Sequence, residues 1–96
     1  MKYAATIEYS QDKAKVDAVR PTHRQYLQGL LQKGKIAATG PFTDDYGALI
    51  IYEADTPQEA EELLKGDPFH AAGVFVRWQI RPWKVVFANR ELFPTG

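Results

Sequence analysis

The 96-residue chain is 45% hydrophobic and 25% charged, and its net charge is zero with both histidines neutral, the make-up of one small globular domain. Twelve basic residues balanced by twelve acidic ones leave no excess to neutralise phosphates, so nucleic-acid binding has no electrostatic support. The absence of cysteine excludes disulfides, thiol nucleophiles and thiolate metal sites.

No apolar run reaches membrane-spanning length and no secretory signal opens the chain, so the expectation is a cytoplasmic protein without a membrane partner. A chain this short buries limited apolar surface by itself, which favours a partner subunit.

Met1–Tyr9 alternates, with Tyr3, Ala5, Ile7 and Tyr9 on one side and Ala4, Thr6 and Glu8 on the other. It reads as a strand covered on both faces. Ser10–Val19 is polar apart from Val16 and Val19, and reads as a loop with a short helical turn. Arg20 precedes a proline and is thereby pushed away from helical angles, while Pro21 is suited to open a helix. The main helix is therefore predicted from about Pro21 to Lys33, stopped by Gly34. Its apolar stripe is Tyr26, Leu27, Leu30 and Leu31, and Gln25, Gln28, Gln32 and Lys33 face solvent. His23, four before Leu27, falls in the first turn on the buried face.

Ile36–Phe42 is a second strand, and Gly40-Pro41 makes it an edge strand or a bulged one. A turn over Thr43–Gly47 joins it as a hairpin to the apolar run Ala48–Glu53, a central strand. Thr56 caps the next helix, Pro57 opens it and Glu59 completes a capping-box pattern. That helix, Pro57–Lys65, buries Ala60, Leu63 and Leu64. Gly66 is suited to stop it in a left-handed cap, Asp67 and Pro68 to start a short helix, and Gly73 to end that helix. The last long strand is Phe75–Trp83, with Val74, Val76, Trp78 and Ile80 on one face. Phe75, Arg77, Gln79, Arg81 and Trp83 share the other. Lys84–Phe87 adds a short strand, and Asn89–Gly96 is a tail whose Leu92 and Phe93 can dock on a neighbour.

The order strand, helix, strand, strand, helix, strand is the split βαβ plan of an α+β, ferredoxin-like βαββαβ fold with an antiparallel sheet. Both helices then lie on one sheet face, and a second copy of the sheet is the simplest cover for the other. One domain is expected over residues 1–96, with a core of about 1–87 and a tail of 88–96.

Histidine is the side chain whose ordinary charge change falls near neutral pH, so His23 is a candidate to move a proton. In a first turn, the helix dipole favours its neutral form, and a neighbouring Asp67 would fix its tautomer. Arg20, just before the helix, is placed to hold an anionic group beside the helix N-terminus. Read singly, each has an ordinary structural role: a packed histidine, a helix cap, a surface arginine. His70 is the rival to His23. Arg77 and Arg81 are cleft or dimer residues, and Trp78 and Trp83 are anchors of core or interface. The histidines and carboxylates lack metal-ligand spacing, and no nucleotide or nucleophile motif occurs, so no metal and no cofactor is expected.

Arg20-Pro21-Thr22-His23 with Tyr26-Leu27, then Gly40-Pro41, Asp67-Pro68-Phe69, Ala71-Ala72-Gly73-Val74 and Arg81-Pro82-Trp83-Lys84, resembles the YciI-like (YCII-related) family in order and spacing. The resemblance covers nearly the whole chain. It implies a dimeric α+β barrel, a homodimer of ferredoxin-like subunits packed sheet to sheet, with an active-site cleft whose catalytic pair maps onto His23 and Asp67. The family arginine maps onto Arg20, and Gly40, Pro41 and Phe69 of the shared runs join it as substrate-binding positions. Some relatives are dehydrochlorinases of chlorinated hydroxyhydroquinones, and related barrels include muconolactone isomerases. The loop between Gly40-Pro41 and Gly47 is shorter here than in some relatives, and Ala48 stands where many carry a hydroxyl. The resemblance implies a cofactor-independent lyase or isomerase acting on a small organic compound by acid–base chemistry. The alternatives are a non-catalytic metabolite-binding module and an interaction domain.

Overall fold

The computed structural model describes residues 1–94. Four strands, β1 (Lys2–Tyr9), β2 (Ile36–Pro41), β3 (Gly47–Glu53) and β4 (Phe75–Trp83), form one sheet in the order β2-β3-β1-β4, with every neighbouring pair antiparallel. Three helices, α1 (Lys13–Gln32), α2 (Pro57–Lys65) and the single turn α3 (Pro68–Ala71), complete the α+β, ferredoxin-like arrangement. No helix among the described residues is long and apolar enough to cross a membrane.

One sheet face carries the core. Tyr3, Ala5, Ile7 and Tyr9 of β1 lie beside Ala48, Ile50 and Tyr52 of β3, and Val16, Leu30, Ala60, Leu64 and Phe69 of the helices close over them. The opposite face presents Ala4, Thr6, Leu49, Ile51, Gln79, Arg81 and Trp83, with Leu49 and Trp83 exposed. Residues between Val85 and Phe93 pass beside this face. With Ala4, Ala37, Leu49, Ile51 and Trp83 they enclose an apolar groove of about 710 Å³. The short strand expected over Lys84–Phe87 does not form. The described tail carries a 3-10 turn at Arg90–Leu92, and the Thr95–Gly96 end of the expected tail lies outside the described residues.

The largest departure from the sequence reading is α1, which starts at Lys13 rather than Pro21 and runs through the proline. Asp12 caps it, its carboxylate accepting the Lys15 N–H at 3.2 Å. Val16, Val19, His23, Tyr26, Leu27 and Leu30 follow at helical spacing and face the core. That unbroken apolar stripe outweighs the one ladder bond that Pro21, lacking an N–H, denies to the Asp17 carbonyl. His23 and Arg20 are consequently mid-helix residues. The helix dipole acts within the first turn, so it neither favours a neutral His23 nor adds to Arg20 in holding an anion.

Two smaller departures are local. Gly66 ends α2 with φ −77°, a right-handed angle, not the left-handed cap expected. Space, not φ, requires glycine there: a Cβ would lie 2.7 Å from the Tyr26 hydroxyl, which donates to the Leu63 carbonyl at 2.7 Å. In β4, a bulge opposite Glu8 and Tyr9 pairs Tyr9 with Phe75 and Glu8 with Arg77. The extra residue switches Phe75 to the core and leaves Val76 exposed, the reverse of strict alternation.

Candidate acid–base site

Asp67 follows Gly66 in extended geometry and caps α3, where its carboxylate oxygen accepts the Phe69 N–H at 2.9 Å. The next bonds fix the turn: the Val74 N–H donates to the Phe69 carbonyl at 2.9 Å, and Gly73 supplies the left-handed angle at φ +75°. This geometry turns the Asp67 carboxylate inward, with only 1% of the residue exposed.

His23 reaches it from the middle of α1, across the packing of α1 on α3. Its Nδ1 lies 2.8 Å from Oδ1 and 2.9 Å from Oδ2 of Asp67. The imidazole stacks on Phe69, with centroids 3.9 Å apart and planes 12° apart. An ionised carboxylate only accepts hydrogen bonds, so Nδ1 carries the proton and donates. Nε2 is then the ring nitrogen left for another partner: an acceptor in neutral imidazole, a donor in imidazolium. A positioned base with a fixed tautomer, oriented by a buried carboxylate, is the arrangement that proton transfer requires.

A cleft of about 280 Å³ opens beside this pair. Its wall includes His23, Tyr9, Arg20, Arg24, Thr39 and Pro41, with Leu27, Leu31, Ile36 and Ala48 as apolar surface. Among the described residues, two guanidinium groups and no carboxylate line it; Asp67 stands behind His23. Arg20 is tied to Asp17 at 3.4 Å on the same helix face. Burial, reinforced by the negative charge of Asp67, pushes the Tyr9 phenol up to about 12, against the opposing pull of Arg20 and Arg24. The same two causes raise Tyr26, and burial raises Tyr52 strongly. The Tyr52 hydroxyl is buried without a hydrogen-bond partner among the described residues. No group of three or more His, Asp or Glu among the described residues could hold a metal ion.

Of the residues singled out from the sequence, His23, Arg20, Gly40 and Pro41 meet at the cleft, and Asp67 lies directly behind it. Phe69 does not reach the cleft. It is fully buried and supports the imidazole from beneath, because the turn at Asp67 points its ring into the core. His70 sits apart, its ring edge against Trp78 at 5.4 Å. Arg77 and Arg81 project from the open sheet face, away from the cleft. Tyr9 and Arg24 line the cleft and were not singled out. Arg24 follows Arg20 by one helical turn, a signal hidden by starting the helix at Pro21. Nothing in the alternation of β1 tells which end of the strand meets a cleft.

Comparison with known proteins bears on the family and the fold. The family model of the YCII-related domain matches residues 1–84. Protein YciI of Escherichia coli O6:H1 is 34% identical over 93 residues, covering 82% of this chain and 95% of that protein. The uncharacterized protein YjpA of Bacillus subtilis is 33% identical over 63 residues, covering 66% of this chain and 73% of YjpA. Among solved structures, the 5-chloro-2-hydroxyhydroquinone dehydrochlorinase TftG from Burkholderia phenoliruptrix AC1100, in complex with 2,5-dihydroxybenzoquinone, superposes with a TM-score of 0.74. It is 28% identical, and the match covers 88% of this chain and 94% of TftG.

Proposed function

Because this chain belongs to the YCII-related domain family, we propose that its cleft is the active site of a small cofactor-independent lyase or isomerase. His23 acts through Nε2 as the general base and then the general acid. Asp67 holds the Nδ1–H tautomer and stabilises the imidazolium that forms. The observation that carries this reading is the 2.8 Å contact between His23 and a buried Asp67 beside an open cleft. The substrate is a small anionic compound with a flat apolar body. Arg20 and Arg24 attract its charge, and Leu27, Leu31 and Ile36 take its hydrocarbon surface. The dehydrochlorinase likeness supports elimination from a chlorinated hydroxyhydroquinone as the first reaction to try. Gly40 and Pro41 shape the rim of the cleft on the edge strand.

A second copy of the chain covers the open sheet face in this reading. Leu49, Trp83, Val86 and Phe87 are large apolar residues left exposed there or in the segment beside it, more than a lone small subunit ordinarily shows in one region. Residues 1–87 form the working unit of a single domain, and the described residues from 88 onward are its tail.

The test begins with thermal melts against 2,5-dihydroxybenzoquinone and a panel of small aromatic and lactone acids. Chloride release from chlorinated hydroxyhydroquinones follows, with wild-type protein and His23→Gln. The reading expects turnover by the wild type and a loss of roughly 100-fold or more in a folded His23→Gln protein. A ligand that raises the melting temperature without being converted by any preparation would make the chain a binding module.

A further inference from the structure

Tyr9 takes no part in the His23–Asp67 pair, yet it lines the same cleft. It closes β1 just past the bulge that brings Phe75 to its side. The phenol ring meets Phe69 edge-on at 5.3 Å and stacks on Phe75 at 5.9 Å. Phe69 in turn stacks on His23. Tyr9 and His23 are thus two rings with polar tips, held by the same buried phenylalanine and bordering the same cavity. Aromatic clamping of this kind fixes where a hydroxyl lies without engaging it.

We propose that the Tyr9 hydroxyl is a substrate-binding donor that hydrogen-bonds an oxygen of the ligand, and that the site therefore selects planar compounds with two ring oxygens, one meeting His23 and the other Tyr9. This rests on the acid–base reading of His23 and adds the substrate class. Burial and the charge of Asp67 keep the phenol protonated far above neutral pH, so it stays a neutral donor while Arg20 and Arg24 supply the positive charge. A hydrogen bond aimed at developing oxyanion character strengthens as negative charge accumulates on the ligand.

Tyr9→Phe keeps the ring and its contacts with Phe69 and Phe75 and removes only the hydroxyl. The probe is 2,5-dihydroxybenzoquinone, followed by its own visible absorption in a titration of wild type, Tyr9→Phe and His23→Gln. Tyr9→Phe should melt close to wild type and bind the probe roughly tenfold more weakly or worse, as for loss of a hydrogen bond to an anion. It should also lack any shift of the quinone band that wild type induces. Equal affinity and an equal band shift in wild type and Tyr9→Phe, with His23→Gln impaired, would overturn this assignment and leave the acid–base reading standing. A Tyr9→Phe protein that fails to fold makes the hydroxyl structural and also overturns it. A wild type that fails to bind the probe at millimolar concentration overturns the assignment together with the substrate class it rests on.

Discussion

Asp67→Asn is the substitution that tests the site most directly, because asparagine preserves one of the two roles of Asp67 and reverses the other. The cap survives: an asparagine carbonyl accepts the Phe69 N–H as the Asp67 oxygen does at 2.9 Å. With that carbonyl in place, the amide NH2 occupies the position of the second oxygen, 2.9 Å from His23 Nδ1. An Nδ1–H would then meet that amide donor and keep only the Oδ1 carbonyl, 2.8 Å away and already taken by the Phe69 N–H, as its acceptor; a proton on Nε2 lets Nδ1 accept from the amide instead, so that tautomer is favoured. The ring stays where Phe69 holds it, but the nitrogen left for the substrate is now a donor. Turnover should fall by roughly 100- to 10,000-fold, the range for a lost general base, while affinity for an anionic ligand at Arg20 and Arg24 changes little. Replacing a charge-assisted bond by a neutral one costs at most about 1.5–3 kcal/mol, which for a domain of this size lowers the melting temperature by some 5–20 °C. Thermal melts, product assays and nitrogen-15 NMR of the histidine ring on one preparation measure stability, turnover and tautomer, and a ligand titration measures affinity. A folded Asp67→Asn protein that keeps the Nδ1–H tautomer and full turnover would refute the orienting role of Asp67.

Three further outcomes follow from the packing. Gly66→Ala should destabilise by about 1–3 kcal/mol in chemical denaturation through the clash with the Tyr26 hydroxyl, and adding Tyr26→Phe should recover much of that loss; no recovery would return the glycine requirement to backbone angle. For pH, the Tyr9 phenol is raised from 10.0 to about 12 on folding, so the folded state holds a proton that the unfolded chain releases first. The stability this contributes is full below pH 10 and is lost as pH rises through 12; Tyr26 and Tyr52, shifted the same way, add to the loss, and a flat melting temperature between pH 9 and 11.5 would contradict these shifts. If a second copy covers the open face, light scattering after gel filtration reads a dimer for wild type. Leu49→Lys, placed at the centre of that face, should then give a folded monomer, whereas an unchanged dimer would move the interface elsewhere.

The fold was legible where periodicity and local chemistry agree. The alternation of β1, the apolar run of β3 and the Thr56-Pro57 start of α2 each have a physical cause confined to a few neighbouring residues. The same holds for the Asp67-Pro68 start of α3, and it placed a carboxylate at a helix start facing the histidine of another helix. What was not legible depended on competition between distant terms. The stripe from Val16 to Leu30 carries a helix through Pro21, and only the summed burial of six side chains shows that it wins. The bulge opposite Glu8 and Tyr9 cannot be read from β4 alone, because the extra residue is defined by its partner strand. Phe69 is a ligand contact only by its place in the Asp67-Pro68-Phe69 run that resembles the family; its fully buried position is set by how the single-turn helix packs against α1.

The site divides into two parts with different origins. The His23–Asp67 pair is built from the core outward: Phe69, Asp67 and His23 are all buried, and each fixes the next through a stack or a hydrogen bond. Changing any of them disturbs the fold together with the chemistry. The outer rim of the cleft belongs to surface elements, the exposed side of α1 at Arg24 and Leu31 and the edge strand β2 at Thr39, Gly40 and Pro41. A Cβ added at Gly40 would meet nothing within 4 Å, so this rim accepts new side chains without strain. A buried pair that must stay and a rim free to change are the conditions under which one proton-transfer device serves different small substrates. Exchanges at Arg24, Thr39 and Gly40 should therefore alter which ligand binds while leaving melting temperature within a few degrees. Exchanges at His23, Asp67 and Phe69 should move stability and turnover together.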